Sequence, residues 1–405
     1  MKAKIISVGN ELLNGKTLNT NLTYLSKQLR KIGIPIESAM CIQDNEKNIH
    51  RTLKESNEDL IIFTGGLGPT RDDITKESVC DFFNLKLELH EDTLNTIKQY
   101  FARLDREMSE SNEKQAYFPK DAIILENKQG TAPGLIVKTD EKTVVLLPGP
   151  PHELIPMFHY VADYLKERTN QTLYQSGYLV VGIGESDMET EMKAFYNKHP
   201  EVEIAPYADL ASIQYIFTST DADALEKALD QFKKRFNEYI VGPYDEPLEK
   251  RIVDTLIARN MTISLAESAT GGMVSSTLVN VPDASKVFNE SYVLYSNGSK
   301  VKQLGINQMI MEKFGAVSDQ CVYELAYQLA SRTDADITLS ISGIAGPGGG
   351  SAIKPVGTMY YGLYHEGKTK TYKKVFSGDR NMIRKKATVY GLYLVLKALM
   401  HEDNH

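Results

Sequence analysis

The chain is expected to be an α/β protein, with two α/β domains of mainly parallel sheets joined by a small α+β module. Three observations carry that expectation. Its 405 residues, 42% hydrophobic and 24% charged, exceed what one hydrophobic core usually organises. Short apolar runs alternate with longer amphipathic ones toward both ends, the pattern of sheets crossed over by helices. Both ends also reuse one device, an apolar strand running into a glycine-rich turn that contains Gly-Pro.

Residues 1–168 read as the first domain. AKIISVG is its first strand, and TLNTNLTYLSKQLRKIG its first long helix. Leu18, Leu22, Leu25 and Leu29 recur there at spacings of three or four, and Gly33 is placed to end the helix. DLIIFTGG and TVVLLPGPP are further buried strands, each stopped by glycine or proline. Residues 171–245 change character: two strand-like runs and the helical DALEKALDQFKKRFNEYI make a small α+β module. Residues 248–403 resume the alternation, with MTISLAES, VFNESYVLYSN, DITLSISG and VGTMYYGLYHEG as strands.

The bulk numbers exclude several function classes. A net charge of −7 works against non-specific binding to nucleic acid or anionic membranes, which needs a basic surface. Cys41, Cys80 and Cys321 are widely separated and odd in number, so neither a disulfide framework nor a clustered metal site is expected. MKAKIISVGNELLNG turns polar early, and no stretch approaches the roughly 18 apolar residues of a membrane span. The cytoplasm is the expected compartment.

Three segments fall at or just after strand ends in the first domain: SVGNELLNG, CIQDNE and TGGLGPTRDDIT. Ligands of open α/β sheets collect at the carboxyl ends of the strands. Gly65, Gly66 and Gly68 allow close backbone approach, and amides at the start of the next helix can hold phosphate. Asp72 and Asp73 are hard oxygen ligands suited to Mg²⁺. The same residues also read as a tight turn and an acidic first helical turn that complements the macrodipole.

In the last domain, MTISLAES places Ser268 at a strand end, and Gly271 with Gly272 lets the chain turn sharply into the next helix. Ser268 reads either as a nucleophile or as a helix cap. His365 sits at an expected hairpin turn, and His401 and His405 are terminal, so a histidine base has poor support. Lys300, in the first turn of the helix after YSN, is the other base, provided that it is neutral. Burial, the positive end of its helix and a cation such as Lys302 or Arg380 would favour that form. As a bland alternative, Lys300 is one more surface lysine. The loop at 343–350 supplies amides for phosphate or an oxyanion, with Ser342 as an extra donor.

SVGNELLNG, NTN at 19–21, TGGLGPTRDDITKE, GTAPG at 130–134 and LLPGPPHEL together resemble the amino-terminal domain of the CinA (competence/damage-inducible) family, itself related to the molybdopterin-binding domain of molybdenum-cofactor biosynthesis. The resemblance implies a divalent-metal (Mg²⁺) dependent pyrophosphatase acting on ADP-ribose. Asn10, Gly65, Gly66 and Gly68 would then lie at the substrate, and Glu11, Asp44, Asp72 and Asp73 at the metal. Family members read Gly-Thr-Glu where this chain has Gly9-Asn10-Glu11. The middle segment resembles a KH-like domain, but VGIGESDMETE lacks a Gly-X-X-Gly clamp and continues acidic. A packing or dimerisation role is therefore expected of it, without direct nucleic-acid binding.

AESATGG, YSNGSKVKQLG, SGIAGPGGGSAIKPVGT and SGDR resemble the carboxy-terminal CinA domain, which is similar to nicotinamide-nucleotide amidohydrolases. These convert nicotinamide mononucleotide to nicotinate mononucleotide and ammonia. The resemblance implies a Ser268/Lys300 pair, with Tyr295, Ser342 and Arg380 at pocket positions. Oxyanion donors would come from Gly271 and Gly272, or from the loop containing Gly343 and Gly346, and no metal is needed. Ala269 stands where members usually carry cysteine, and Gly298 where an acid is common. A homodimer with two activities in pyridine-nucleotide salvage is the leading expectation. The rivals are a pterin-binding or adenylyl-transfer domain, and a competence or DNA-damage partner with degenerate sites.

Overall fold

The computed structural model describes residues 1–169 and 173–400. Residues 171 and 172, 401–403 of the expected last domain, and both His401 and His405 lie outside them. The chain divides into two units, Met1–Leu173 and Tyr174–His405. Among the described residues no helix is long and apolar enough to cross a membrane.

In the first unit the strands are β1 (Ala3–Val8), β2 (Ile36–Ile42), β3 (Leu60–Thr64), β4 (Leu87–Leu89), β5 (Tyr117–Pro119), β6 (Ile123–Leu125), β7 (Gly134–Lys138) and β8 (Thr143–Leu147). Six of them form a sheet in the order β2-β1-β3-β8-β7-β6, while β4 pairs with β5. The first four are parallel, and β7 and β6 are added antiparallel. Every residue of β1, β3 and β8 is buried, as expected of strands covered by helices on both faces. Alternation sorts their side chains: Ile5, Ile62 and Val145 join Leu25, Leu29 and Phe158 on one face. Ile6, Ile61 and Val144 join Ile49, Leu53 and Val79 on the other.

The first long helix is shorter than its apolar spacing implies. It runs Thr20–Lys31, with the Asn19 side chain accepting from Leu22 N at 3.1 Å. Once that side chain satisfies a first-turn amide, the helix begins after it, and Leu18 is left outside, 85% exposed. Gly33 does follow the end, at φ 76°. β1 is flanked by β2 and β3, so the chain winds away on either side of it, the arrangement at whose carboxyl ends open α/β sheets bind ligands.

The second unit begins with β9 (Tyr174–Val181), β10 (Glu203–Ala208), β11 (Ser212–Ser219) and β12 (Ile240–Pro243), antiparallel in the order β10-β11-β9-β12. Helices Glu185–Lys198 and Ala222–Phe236 cover one face of this sheet through Met188, Met192 and Phe232. Leu179, Val181 and Val241 point into the neighbouring core of the same unit instead. That core surrounds β13 (Ile263–Glu267), β14 (Phe288–Val293), β15 (Ile337–Gly343), β16 (Thr358–His365) and β17 (Lys368–Val375), ordered β14-β13-β15-β16-β17. β13 runs parallel to β14 and β15, whereas β16 and β17 are antiparallel additions.

Candidate functional site

Ser268 follows the buried end of β13, and its amide donates to the Ile341 carbonyl at 3.0 Å. β14 lies alongside in parallel, Val293 opposite Glu267. Ser296 then caps the helix Asn297–Leu304 by accepting from Ser299 N at 3.1 Å. Lys300 is in the first turn of that helix, yet it is 1% exposed. Its Nζ lies 3.1 Å from Ser268 Oγ and donates to the Leu294 carbonyl at 2.7 Å. The surface-lysine alternative therefore fails: the chain bends after β14 so that this side chain runs inward.

Burial pushes the Lys300 pKa below the ordinary lysine value, opposed by the nearby Cys321. The expected cations do not take part. Lys302 is exposed, and Arg380 donates to the Gly346 carbonyl at 2.6 Å and to the Tyr295 hydroxyl at 2.8 Å. His365 is at the opposite end of the sheet, paired with Ile337 where β15 begins.

Ser268 is not the helix cap. The two left-handed glycines, Gly271 at φ 61° and Gly272 at φ 92°, delay the helix to Met273–Val279. The buried Glu267 carboxylate takes the capping role, accepting from the amides of Gly272, Val274 and Ser275 at 2.8–3.2 Å and from Ser275 Oγ at 2.6 Å. A carboxylate acceptor suits a helix N-terminus, and the Ser268 hydroxyl is left facing Lys300. The same bonds correct the expected oxyanion donors. Gly272 N is held by Glu267 and Gly271 N by the Ser268 carbonyl at 3.1 Å, so among the described residues the Ala269 and Thr270 amides are the turn's unengaged ones.

Ser342 is 1% exposed and donates to the Ala316 carbonyl at 2.7 Å, so its proton is committed to that carbonyl. Gly343 belongs to β15; a Cβ there would come 2.1 Å from Met359 Sδ, so the glycine serves strand packing. Gly346 begins the free part of the loop, at φ 79°, tied by its carbonyl to Arg380. Tyr295 is 63% exposed, its hydroxyl held by Arg380 at the rim.

In the first unit the glycine loop is tightly folded. A Cβ on Gly65 would lie 2.2 Å from the Val8 carbonyl, one on Gly66 2.0 Å from Thr75 Oγ1, and one on Gly68 2.5 Å from Asp73 Oδ2. These glycines thus let the loop close on β1 and on the helix Thr75–Phe82. That helix starts after the two aspartates, so they are not its acidic first turn. Both are bound to Thr70: Asp73 Oδ2 accepts from its amide at 3.0 Å and its hydroxyl at 2.6 Å, while Asp72 accepts from the hydroxyl.

Asp44 is half-buried, with Oδ1 lacking a hydrogen-bond partner. Burial, reinforced by the charges of Asp73, Asp72 and Glu11, pushes its pKa up to about 6. The four expected metal residues thus share one electrostatic field, but no three bring ligand atoms within 4.8 Å of one another. Among the described residues only Glu46, His50 and Asp81 do so. Asn10 and Glu11 are exposed on the short helix Asn10–Leu13. A cavity of about 450 Å³ opens beside residues 126–133 and the helix Glu91–Arg103; it includes Gly130 and Thr131, and none of the four acids.

Composition and spacing missed three participants. Lys114 donates to the carbonyls of Thr70 and of Asp73 (2.8 Å) and so holds the acidic loop. Asn21 of NTN donates to the Gly149 carbonyl at 2.6 Å, fastening the LPGPP turn. Arg384 lies one helical turn beyond Arg380; that i, i+4 spacing was its signal in the sequence.

Residues 4–167 match the model of a probable molybdopterin binding domain, and residues 245–399 that of the CinA C-terminal domain. A CinA-like protein of Dictyoglomus turgidum is 42% identical over 410 residues, covering 99% of this chain and all of that one. One from Kosmotoga olearia is 44% identical over 409 residues, 99% of each. A competence or damage-inducible protein from Enterobacter asburiae, solved by crystallography, is 34% identical; the match covers 38% of this chain and 96% of that one, with a TM-score of 0.37.

Proposed function

The chain belongs to the CinA family, and from that premise we propose that its carboxy-terminal site is a Ser/Lys amidohydrolase acting on nicotinamide mononucleotide. One observation carries this reading: a buried lysine with a lowered pKa stands 3.1 Å from a serine hydroxyl. As a neutral amine, Lys300 accepts the Ser268 proton while donating to Leu294. Ser268 Oγ bonds to the carboxamide carbon, and the oxyanion falls to unengaged backbone amides. When the carbon–nitrogen bond breaks, the Lys300 ammonium protonates the departing nitrogen, releasing ammonia. Water, deprotonated by Lys300, then cleaves the ester and restores the Ser268 hydroxyl. The test is ammonia release from nicotinamide mononucleotide by the intact chain. A Ser268→Ala protein with normal turnover sinks the assignment.

For the first unit we propose a metal-dependent hydrolysis of ADP-ribose. The charges of Asp73, Asp72 and Glu11 on the half-buried Asp44, together with the unpartnered Asp44 oxygen, fit a divalent cation. Bound there, Mg²⁺ would offset diphosphate charge and polarise phosphorus. Lys114 holds the acidic loop in place. AMP should appear from ADP-ribose with Mg²⁺, and activity that persists in EDTA removes the metal from the reading. The match to a probable molybdopterin binding domain favours a second reading, pterin binding with adenylyl transfer. Incubation with molybdopterin and ATP separates the two by product.

A further inference from the structure

Arg384 is half-buried on the helix Arg380–Met400. Its Nε donates to the Ala269 carbonyl at 3.1 Å and its Nη2 to the Thr270 carbonyl at 2.7 Å. These are the two residues directly after the nucleophile, and they come from a strand end more than a hundred residues away in sequence. A Cβ on Gly271 would lie 3.3 Å from Nη2, so the turn is shaped to admit the guanidinium.

We propose that Arg384 is the positioning residue of the nucleophilic turn, fixing the peptide groups after Ser268 so that the Ala269 amide can receive the oxyanion. In a trans peptide the carbonyl and the following N–H point in opposite directions. Holding the Thr270 carbonyl therefore directs Gly271 N–H away from Arg384, where it meets the Ser268 carbonyl at 3.1 Å. The Ser268 carbonyl and Ala269 N–H share a trans peptide, and that hydrogen bond in turn directs Ala269 N–H to the opposite side. On the helix side the turn is already anchored by Glu267, which takes the Gly272, Val274 and Ser275 amides. With Gly271 and Gly272 engaged and Thr270 fully buried, the donor left to an oxyanion among Ala269 and Thr270 is the Ala269 amide. Arg384 is the one side chain among the described residues seen bonding both of their carbonyls, and a planar guanidinium sets two carbonyls at once where an ammonium sets a point.

The inference rests on the Ser/Lys reading, so its test has an arm that does not depend on the amide substrate. In the intact chain, ammonia release from nicotinamide mononucleotide is measured beside the rate at which phenylmethylsulfonyl fluoride modifies Ser268, located by peptide mass. Arg384→Met should lower kcat and the labelling rate by on the order of 10²-fold, the effect of losing an oxyanion donor, with KM and melting temperature little changed. Arg384→Lys should recover part of the rate, and added guanidinium should partly restore Arg384→Ala. Rates in Arg384→Met within two-fold of wild type overturn the proposal. So does a loss that merely follows melting temperature across the Met and Lys variants. Labelling that depends on Arg384, without ammonia release, removes the substrate assignment and leaves the positioning role. Ammonia release indifferent to Arg384 does the reverse, and a wild-type chain that does neither overturns both.

Discussion

The Ser268–Lys300 pair and the acidic crevice of the first unit both follow the carboxyl ends of parallel strands, yet their electrostatics run in opposite directions. In the pair, one cation is buried and its charged form is disfavoured. The result is an amine, disfavoured in its charged form, within 3.1 Å of a serine hydroxyl. In the crevice, burial and three neighbouring carboxylates disfavour the charge on Asp44, and the ligand atoms are not gathered. Desolvation acts on both, but it completes a site only where the needed form is neutral. Where the needed form is anionic, the same burial creates a demand for a countercharge.

Separating the two sites gives the largest expected effect. Ser268→Ala and Lys300→Met should each reduce ammonia release by about 10²–10⁴-fold or more, with AMP release from ADP-ribose unchanged. If either variant loses both activities, the comparison breaks. On the Ser/Lys proposal the active form is the neutral amine, so wild-type amide hydrolysis should rise with pH, with a midpoint below the ordinary lysine value of 10.5. A midpoint at or above that value removes burial as the cause. The same shift makes folding stability rise with pH between the lowered Lys300 value and 10.5, since there the unfolded chain keeps a proton that the folded chain has released.

Glu267→Gln sharpens the role of the turn. It replaces a charged acceptor of three amides and a hydroxyl, and should destabilise the second unit by ~1.5–3 kcal/mol in urea denaturation, with slower ammonia release. Unchanged stability would transfer the capping role elsewhere. In the crevice, Mg²⁺ at about a hundredfold excess over its dissociation constant should add up to about 2.7 kcal/mol, read as a raised melting transition. Asp44→Asn should largely abolish that rise, and an equal rise in the variant would remove Asp44 from the cation's partners. Ser342→Ala should have the smallest effect, ~1 kcal/mol from one buried hydrogen bond and little change in KM. A large KM increase would return Ser342 to the substrate.

Much of the architecture was legible in the residues. AKIISV, LIIFT and TVVLL are apolar on both faces, which only a helix-covered sheet accommodates. Gly33, Gly271 and Gly272 mark turns that need a left-handed backbone. The Ser268 and Lys300 motifs pointed to one sheet edge, because β13 and β14 are parallel neighbours. What failed was assignment among adjacent polar residues. Ser268 is the better cap by residue type, but the length of the turn gave the role to Glu267. Asp72 and Asp73 looked like a first helical turn until Thr70 claimed both.

By itself the sequence determined where strands, glycine turns and candidate nucleophile fall, since those follow from side-chain alternation and local backbone preference. Only the tertiary structure decided that Lys300 is buried, that the Ser342 proton is spent on Ala316, and that Arg384 grips the turn after Ser268. Each of those outcomes depends on groups 26 to 115 residues apart. Desolvation and hydrogen bonding act on distance in space, which no local pattern encodes.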